Sequence, residues 1–426
     1  MSTSAALQRR RDYAGPALFA YGFRPFFLAA GLWAAFGILL WLPQYFGVLT
    51  IPTHFGPLDW HIHEMLYGYV AATVGGFLLT AVPNWTGRLP VNGLPLAALA
   101  LLWLAGRAAI LCSAVIGGVA AAAIDTSFLF VLALVAAREI ISGRNWRNLR
   151  VLVLIGVLIA GNVVFHVEVL LTGRADYGVR IAIAAVLMLV SLIGGRIVPS
   201  FTGNWIKREN PGRMPVPFAR FDVLTMLASA VALLVWIAVP EQTVTGALLL
   251  SAGLLHVIRV ARWAGDRTIA DRLVLVLHVA YVFVPLGFIL TGISNFTDAV
   301  PVTAGLHAWT AGAIGLMTLA VMTRATLGHT GRPLHASAAT QAIYACVLVA
   351  AMIRVCAAFV GSTIEQGDRS FSALAPVHAG YWLLAFIFLP ALIMILLRPN
   401  EGRAPSWIER GLSRAPSWLR GEALPP

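Results

Sequence analysis

The sequence predicts an all-α polytopic membrane bundle of about twelve spans. Three observations predict it: long apolar stretches, scarcity of charge, and basic residues gathered in alternate loops. Of 426 residues, 59% are hydrophobic and only 11% charged. Soluble chains carry roughly 25% charged residues, so a soluble fold is disfavoured.

A helix that crosses the hydrocarbon core needs about 20 mainly apolar residues. Such stretches run over 24–46, 60–83, 94–112, 116–137, 149–172, 178–199, 221–239, 243–262, 272–292, 304–327, 338–361 and 374–397. The first follows a basic start, but it is too long for a signal h-region and lacks an Ala-x-Ala cleavage pattern, so it is read as a retained span. Span two opens on a polar aromatic string, Trp60 to Tyr69. Spans three and four are divided only by Cys112, Ser113 and a glycine pair. A miscount there would invert every later span.

Spans two, six and ten end alike, on Val82-Pro-Asn-Trp-Thr-Gly87, Val198-Pro-Ser-Phe-Thr-Gly203 and Leu327-Gly-His-Thr-Gly331. Four helices separate each from the next, so the pattern suggests three parallel four-helix repeats. A Thr-Gly helix stop recurring by chance is the plainer account. After span twelve, Arg403-Ala-Pro-Ser-Trp407 is duplicated at Arg414 to Trp418, a composition suited to a membrane surface. The organisation expected is a cytoplasmic segment over 1–23, a single transmembrane domain over 24–397 and a basic, tryptophan-containing tail over 398–426.

With both termini in the cytoplasm, the loops assigned inside hold Arg138, Arg144, Arg147, Arg150, Lys207, Arg208, Arg213, Arg267 and Arg332. The external loops hold only Arg174, Arg180 and Arg369. The formal charge of +12 is therefore a topology signal and an attraction to anionic lipid, and no nucleic acid partner is expected. The expected location is a bacterial cytoplasmic membrane. Cys112, Cys346 and Cys356 are far apart and no Cys-x-x-Cys-His occurs; covalent c-type haem is excluded and iron–sulfur ligation disfavoured.

An ionisable residue inside a bilayer costs about 2.5–3.5 kcal/mol on insertion scales, so each one there calls for a partner or a role. Seven of the ten histidines fall in spans. Counting depth at about 1.5 Å per residue places His61, His63, His166, His307 and His378 within roughly 10 Å of the external boundary, where a copper site could draw on several of them. His61 and His63 diverge by about 200° on a regular helix and cannot readily share one metal. The interfacial aromatic belt of Trp60, Tyr67 and Tyr69 with hydrated histidines is the alternative. His256 and His278 reach one deeper level on consecutive antiparallel helices. They could hold a haem iron axially, with Arg259 and Arg262 toward the propionates; equally, each could hydrogen-bond the backbone of a neighbouring helix. Arg107 with Asp125, and Arg354 with Glu168, are the expected ion pairs, and either arginine could instead hold a propionate.

These motifs resemble the NnrS family of bacterial membrane proteins. The resemblance rests on Phe23-Arg-Pro-Phe-Phe27, Trp60-His-Ile-His-Glu-Met-Leu-Tyr-Gly68, Val82 to Gly87, His256-Val-Ile-Arg259, Leu277-His-Val-Ala-Tyr281, His307 to Arg324 and Leu327 to Arg332. It covers nearly the whole chain. It implies twelve spans, copper and a non-covalent haem, haem b, with a role in denitrification and in the response to nitric oxide; it supplies no ligand set. The expected function is a haem and copper protein of the lipid bilayer that senses, sequesters or turns over nitric oxide, with no redox partner identified. A transporter of a metal ion, haem or a small molecule is the competing class, supported by the repeats and by the Gly/Pro-interrupted spans.

Overall fold

A computed structural model describes Tyr13 and residues 15–364, with side chains through Phe359. Among the described residues there are eleven membrane-length helices and no strand. They are α1 (Phe23–Tyr45), α2 (Pro57–Thr86), α3 (Gly93–Leu111), α4 (Gly118–Ser142), α5 (Leu149–Thr172), α6 (Tyr177–Glu209), α7 (Arg220–Ala238), α8 (Thr243–Ala261), α9 (Arg272–Ile293), α10 (Val302–His329) and α11 (Ala338–Ile364). They coincide with the first eleven apolar stretches. The twelfth stretch, 374–397, the tail and His378 lie outside the described residues.

The boundary that the sequence marked least clearly is a hairpin. The chain leaves α3 at Leu111, makes a single turn over Ser113–Ile116, and reverses at Gly117, whose φ of +89° suits glycine. The loop between α1 and α2 pins it: the His54 amide donates to Ser113 Oγ (2.9 Å) and the Ala114 amide to the Pro52 carbonyl (3.0 Å). The alternation of span directions therefore holds through the later helices.

Each helix packs against its neighbours in sequence, as short loops require. The centre of the bundle belongs to α2, α6 and α10, whose apolar windows are 78%, 72% and 72% buried, whereas α3, α4, α5, α7, α8 and α11 are 33–44% buried and face outward. Every fourth span is thus interior, the same interval as the recurring Val-Pro and Thr-Gly strings. Gly87 and Gly331 stand at positive φ just beyond the ends of α2 and α10. Gly203 does not stop α6, which runs on to Glu209. Both α2 and α10 hold a π-helical segment that begins one residue after a histidine, Glu64–Val70 after His63 and Ala308–Leu316 after His307. Such widened turns are rare and frequent at functional sites.

The alternation sorts the loops into two faces. One carries Arg88, Arg144, Arg147, Arg213, Arg267 and Arg332; across the bundle, the described loops carry Arg174. The first is called the basic face below.

Candidate metal centre

Toward the face opposite the basic loops, the starts of α2 and α4 meet the ends of α3 and α5. At that level α2 presents His63 and Glu64, α3 Arg107, α4 Asp125, and α5 Asn162 and His166. His63 and Glu64 are 0% exposed, Asp125 2% and His166 3%. Helix spacing explains the α5 pair: Asn162 and His166 are i and i+4 and share a face.

One carboxylate oxygen organises the group. Asp125 Oδ2 lies 3.3 Å from His63 Nε2 and 3.0 Å from His166 Nε2, and accepts from Asn162 Nδ2 at 2.8 Å. The Asn162 amide oxygen is 3.2 Å from His63 Nε2. Ligand atoms of His63, Asp125 and His166 all lie within 4.8 Å of one another, close enough to converge on a single ion. Gly106 on α3 lets this packing happen, because a β-carbon there would stand 3.2 Å from the Asp125 Cα.

A second layer holds the first in place. His63 Nδ1 is 3.0 Å from Glu64 Oε1, and Glu64 also accepts from Trp33 Nε1 (2.7 Å) and Arg107 Nη1 (2.7 Å). Arg107 reaches across to Asp125 Oδ1 as well. A histidine whose remote nitrogen rests on a carboxylate is the usual second-shell arrangement of a ligating imidazole. The rings of Phe55, Tyr67 and Phe165 lie 5.0–5.1 Å from that of His63 and close the site to water. Two carboxylates face one guanidinium, which leaves one negative charge for a cation to balance if both imidazoles are neutral.

Of the other histidines read as ligands from the sequence, His61 and His307 are elsewhere, and His378 lies outside the described residues. His61 stacks on Trp41 with ring centroids 4.1 Å apart, and His307 Nε2 accepts from Arg354 Nε at 3.0 Å. Arg354 therefore does not pair with Glu168. That carboxylate instead accepts the backbone amides of Asp176, Tyr177 and Gly178 at 2.8–3.1 Å and caps α6, a place where a helix favours negative charge. Arg107 with Asp125 does form. What the sequence reading missed is that Asp125 serves the arginine with one oxygen and the histidines with the other. Asn162 and Trp33 were also missed; the Asn162–His166 spacing was a signal for the first.

A family model described as NnrS protein matches residues 17–400, most of the chain. The chain belongs to the NnrS family. Comparison with curated proteins gives no match. In this NnrS chain the second polar cluster sits toward the basic face, among α6, α7, α8 and α9. Arg259, fully buried, donates to Asp222 Oδ1 (2.8 Å), to the Ser191 carbonyl (3.1 Å) and to the Tyr281 hydroxyl (2.7 Å). Arg262 lies 3.7 Å from the other Asp222 oxygen.

This cluster does not fit a haem held between His256 and His278. His256 Nε2 is engaged by Ser229 Oγ at 2.9 Å and Nδ1 by the Tyr281 hydroxyl at 3.2 Å. His278 Nε2 bonds Thr202 Oγ1 at 2.8 Å. Its Nδ1 has no partner among the described residues, but it faces Gly265 so closely that a β-carbon there would stand 2.7 Å away. Tyr281 and Trp263, ring centroids 4.6 Å apart, pack between the two histidines: Tyr281 bonds His256 and Trp263 flanks His278. Both histidines bond side-chain hydroxyls of neighbouring helices, whereas the alternative open from sequence is a bond to helix backbone. Arg259 and Arg262 are committed to Asp222 in the same way.

Proposed function

We propose that this NnrS protein is a membrane metalloprotein that holds one transition-metal ion on His63, Asp125 and His166, and that the ion is copper. The observation that carries the reading is the convergence of two imidazoles and one carboxylate in a buried site. Imidazole and carboxylate donors without thiolate favour divalent copper, zinc or iron over soft monovalent copper. The resemblance to the family selects copper among them and supplies nitric oxide as the ligand to be bound or removed in the denitrification and nitrosative stress response. Copper there would supply a one-electron centre with affinity for such a gas.

The chain's own residues have distinct tasks. Glu64 holds the proton of His63 on Nδ1 and so turns Nε2 toward the site. Arg107 neutralises Glu64 and fixes Asp125 by its Oδ1, leaving Oδ2 for the ion. Asn162 adds an amide oxygen beside His63, and Phe55, Phe165 and Tyr67 exclude bulk water. Haem b stays a family expectation with no fitted site here. The basic face is assigned to the cytoplasm, with both termini there, in a bacterial cytoplasmic membrane.

Metal analysis of the purified protein tests the reading. Wild type should carry stoichiometric copper that His63→Ala, His166→Ala and Asp125→Asn each lose, while His307→Ala keeps it. Metal-free wild type, or equal copper in all four variants, would overturn it. Electron paramagnetic resonance of the oxidised protein, before and after nitric oxide, then reads whether the gas reaches the ion.

A further inference from the structure

We infer that this protein binds one anionic phospholipid at its basic face, the phosphate on Arg147, Arg150 and Arg196 and one acyl chain in the groove between α2, α6 and α10. The inference is independent of the metal centre, which lies toward the other face.

The three arginines form an unbalanced charge. Arg196 Nη1 donates to Asn148 Oδ1 at 3.3 Å, which places the guanidinium within the turn that carries Arg147 and Arg150. The charges acting on Arg196 are those two arginines, and its buried Nε has no partner among the described residues. Four arginines on this face do find carboxylates: Arg88 with Glu139, Arg213 with Asp266, Arg208 with Glu209 and Arg262 with Asp222. Three guanidiniums kept together without one recruit an anion, and a basic pocket between helices at a cytoplasmic surface suits a phospholipid headgroup. Trp146, 59% exposed, stands beside them as an interfacial aromatic.

An apolar cavity of about 70 Å³ adjoins this cluster. Val151 and Ile197 line it, and they are the chain neighbours of Arg150 and Arg196. From Ile197 its α6 wall continues to Val186, eleven residues or about 16 Å, close to one leaflet of a hydrocarbon core about 30 Å thick. The two hydroxyls in the lining are already satisfied, Thr73 by the Tyr69 carbonyl (3.0 Å) and Thr318 by the Ile314 carbonyl (2.7 Å) and the Tyr69 hydroxyl (2.6 Å). Nothing polar remains for a water-soluble ligand. Val74, Phe77, Val190, Ile193 and Val321 are only half-buried, so the cavity opens sideways to the bilayer, the direction from which an acyl chain enters. An anionic mouth ligand and an apolar tail of one-leaflet length describe a single molecule, an anionic phospholipid.

Native mass spectrometry of the full chain titrated with phosphatidylglycerol tests this. At roughly fivefold per arginine, Arg147→Gln/Arg150→Gln/Arg196→Gln should weaken binding ~100-fold, and filling the groove with Val190→Trp should weaken it with every arginine present. Phosphatidylcholine should bind poorly, and inorganic phosphate should not displace the lipid. The site is overturned if the triple variant binds phosphatidylglycerol within about twofold of wild type, if phosphatidylcholine binds as well, or if Val190→Trp has no effect. Displacement by inorganic phosphate would overturn it in favour of a free-anion site. Unchanged circular dichroism and thermal midpoint in the variants show that folding is not what changed.

Discussion

Charge burial at single residues sets most of what this chain can do. Asp222 sits between Arg259 and Arg262 and also accepts the Ala219 amide at 2.9 Å, closing the start of α7. Removing one partner of a buried pair leaves the other uncompensated, at a cost of about 3–5 kcal/mol. Asp222→Asn should therefore lower the thermal midpoint in detergent by far more than Arg213→Ala. The latter breaks the exposed Arg213–Asp266 pair, and exposed pairs are worth about 0–1 kcal/mol. Equal midpoints for the two variants would show that the Asp222 cluster is not a folding element. His63 and His61 make the complementary point. They are two residues apart, yet one faces a carboxylate-lined core and the other stacks on Trp41.

Helices approach one another where glycine leaves room, and that decides the register of the elements. Gly178 on α6 lies against α5 so closely that a β-carbon would stand 2.5 Å from the backbone nitrogen and Cα of Phe165. Backbone cannot give way as a side-chain tip can. Gly178→Ala should therefore push α5 from α6, costing about 1–3 kcal/mol as overpacking does, and it should loosen copper because His166 is the next residue. Gly156→Ala is the control on α5, since nothing lies within 4 Å of the added carbon, and helix propensity favours alanine there by about 1 kcal/mol. Thermal unfolding with metal analysis reads both; a Gly178→Ala protein with wild-type stability and copper would refute the close-approach argument. The π-helical turns are the other element-scale device. In α2 the widened turn begins at Glu64, immediately after His63, and the Glu64 carboxylate reaches back to the His63 ring at 3.0 Å.

The whole molecule is layered. The proposed metal centre and the Asp222–Arg259 cluster lie toward opposite faces. The centre between them is apolar, with α2 and α10 joined there by Tyr69 and Thr318 at 2.6 Å. No chain of carboxylates links the two layers among the described residues. Orientation follows from the loops, and Cys112 offers its test: it is exposed in the α3–α4 hairpin, away from the basic face. With that face in the cytoplasm, a membrane-impermeant maleimide should label Cys112 in cells with a permeabilised outer envelope and an intact inner membrane. Labelling only after the inner membrane is opened would reverse the orientation.

Hydropathy and charge determined the eleven described spans and their alternation, because insertion into lipid is a local property of each apolar stretch; the family was legible in the motif strings. The Arg107–Asp125 pair was legible for the same reason, since buried charges in neighbouring spans must neutralise one another. Which histidines converge was not legible. That depends on helix neighbours and on the glycine contacts that seat α5 against α6. These choices are made in three dimensions, so His63 and His166 meet at Asp125, while His256 bonds Ser229 and Tyr281.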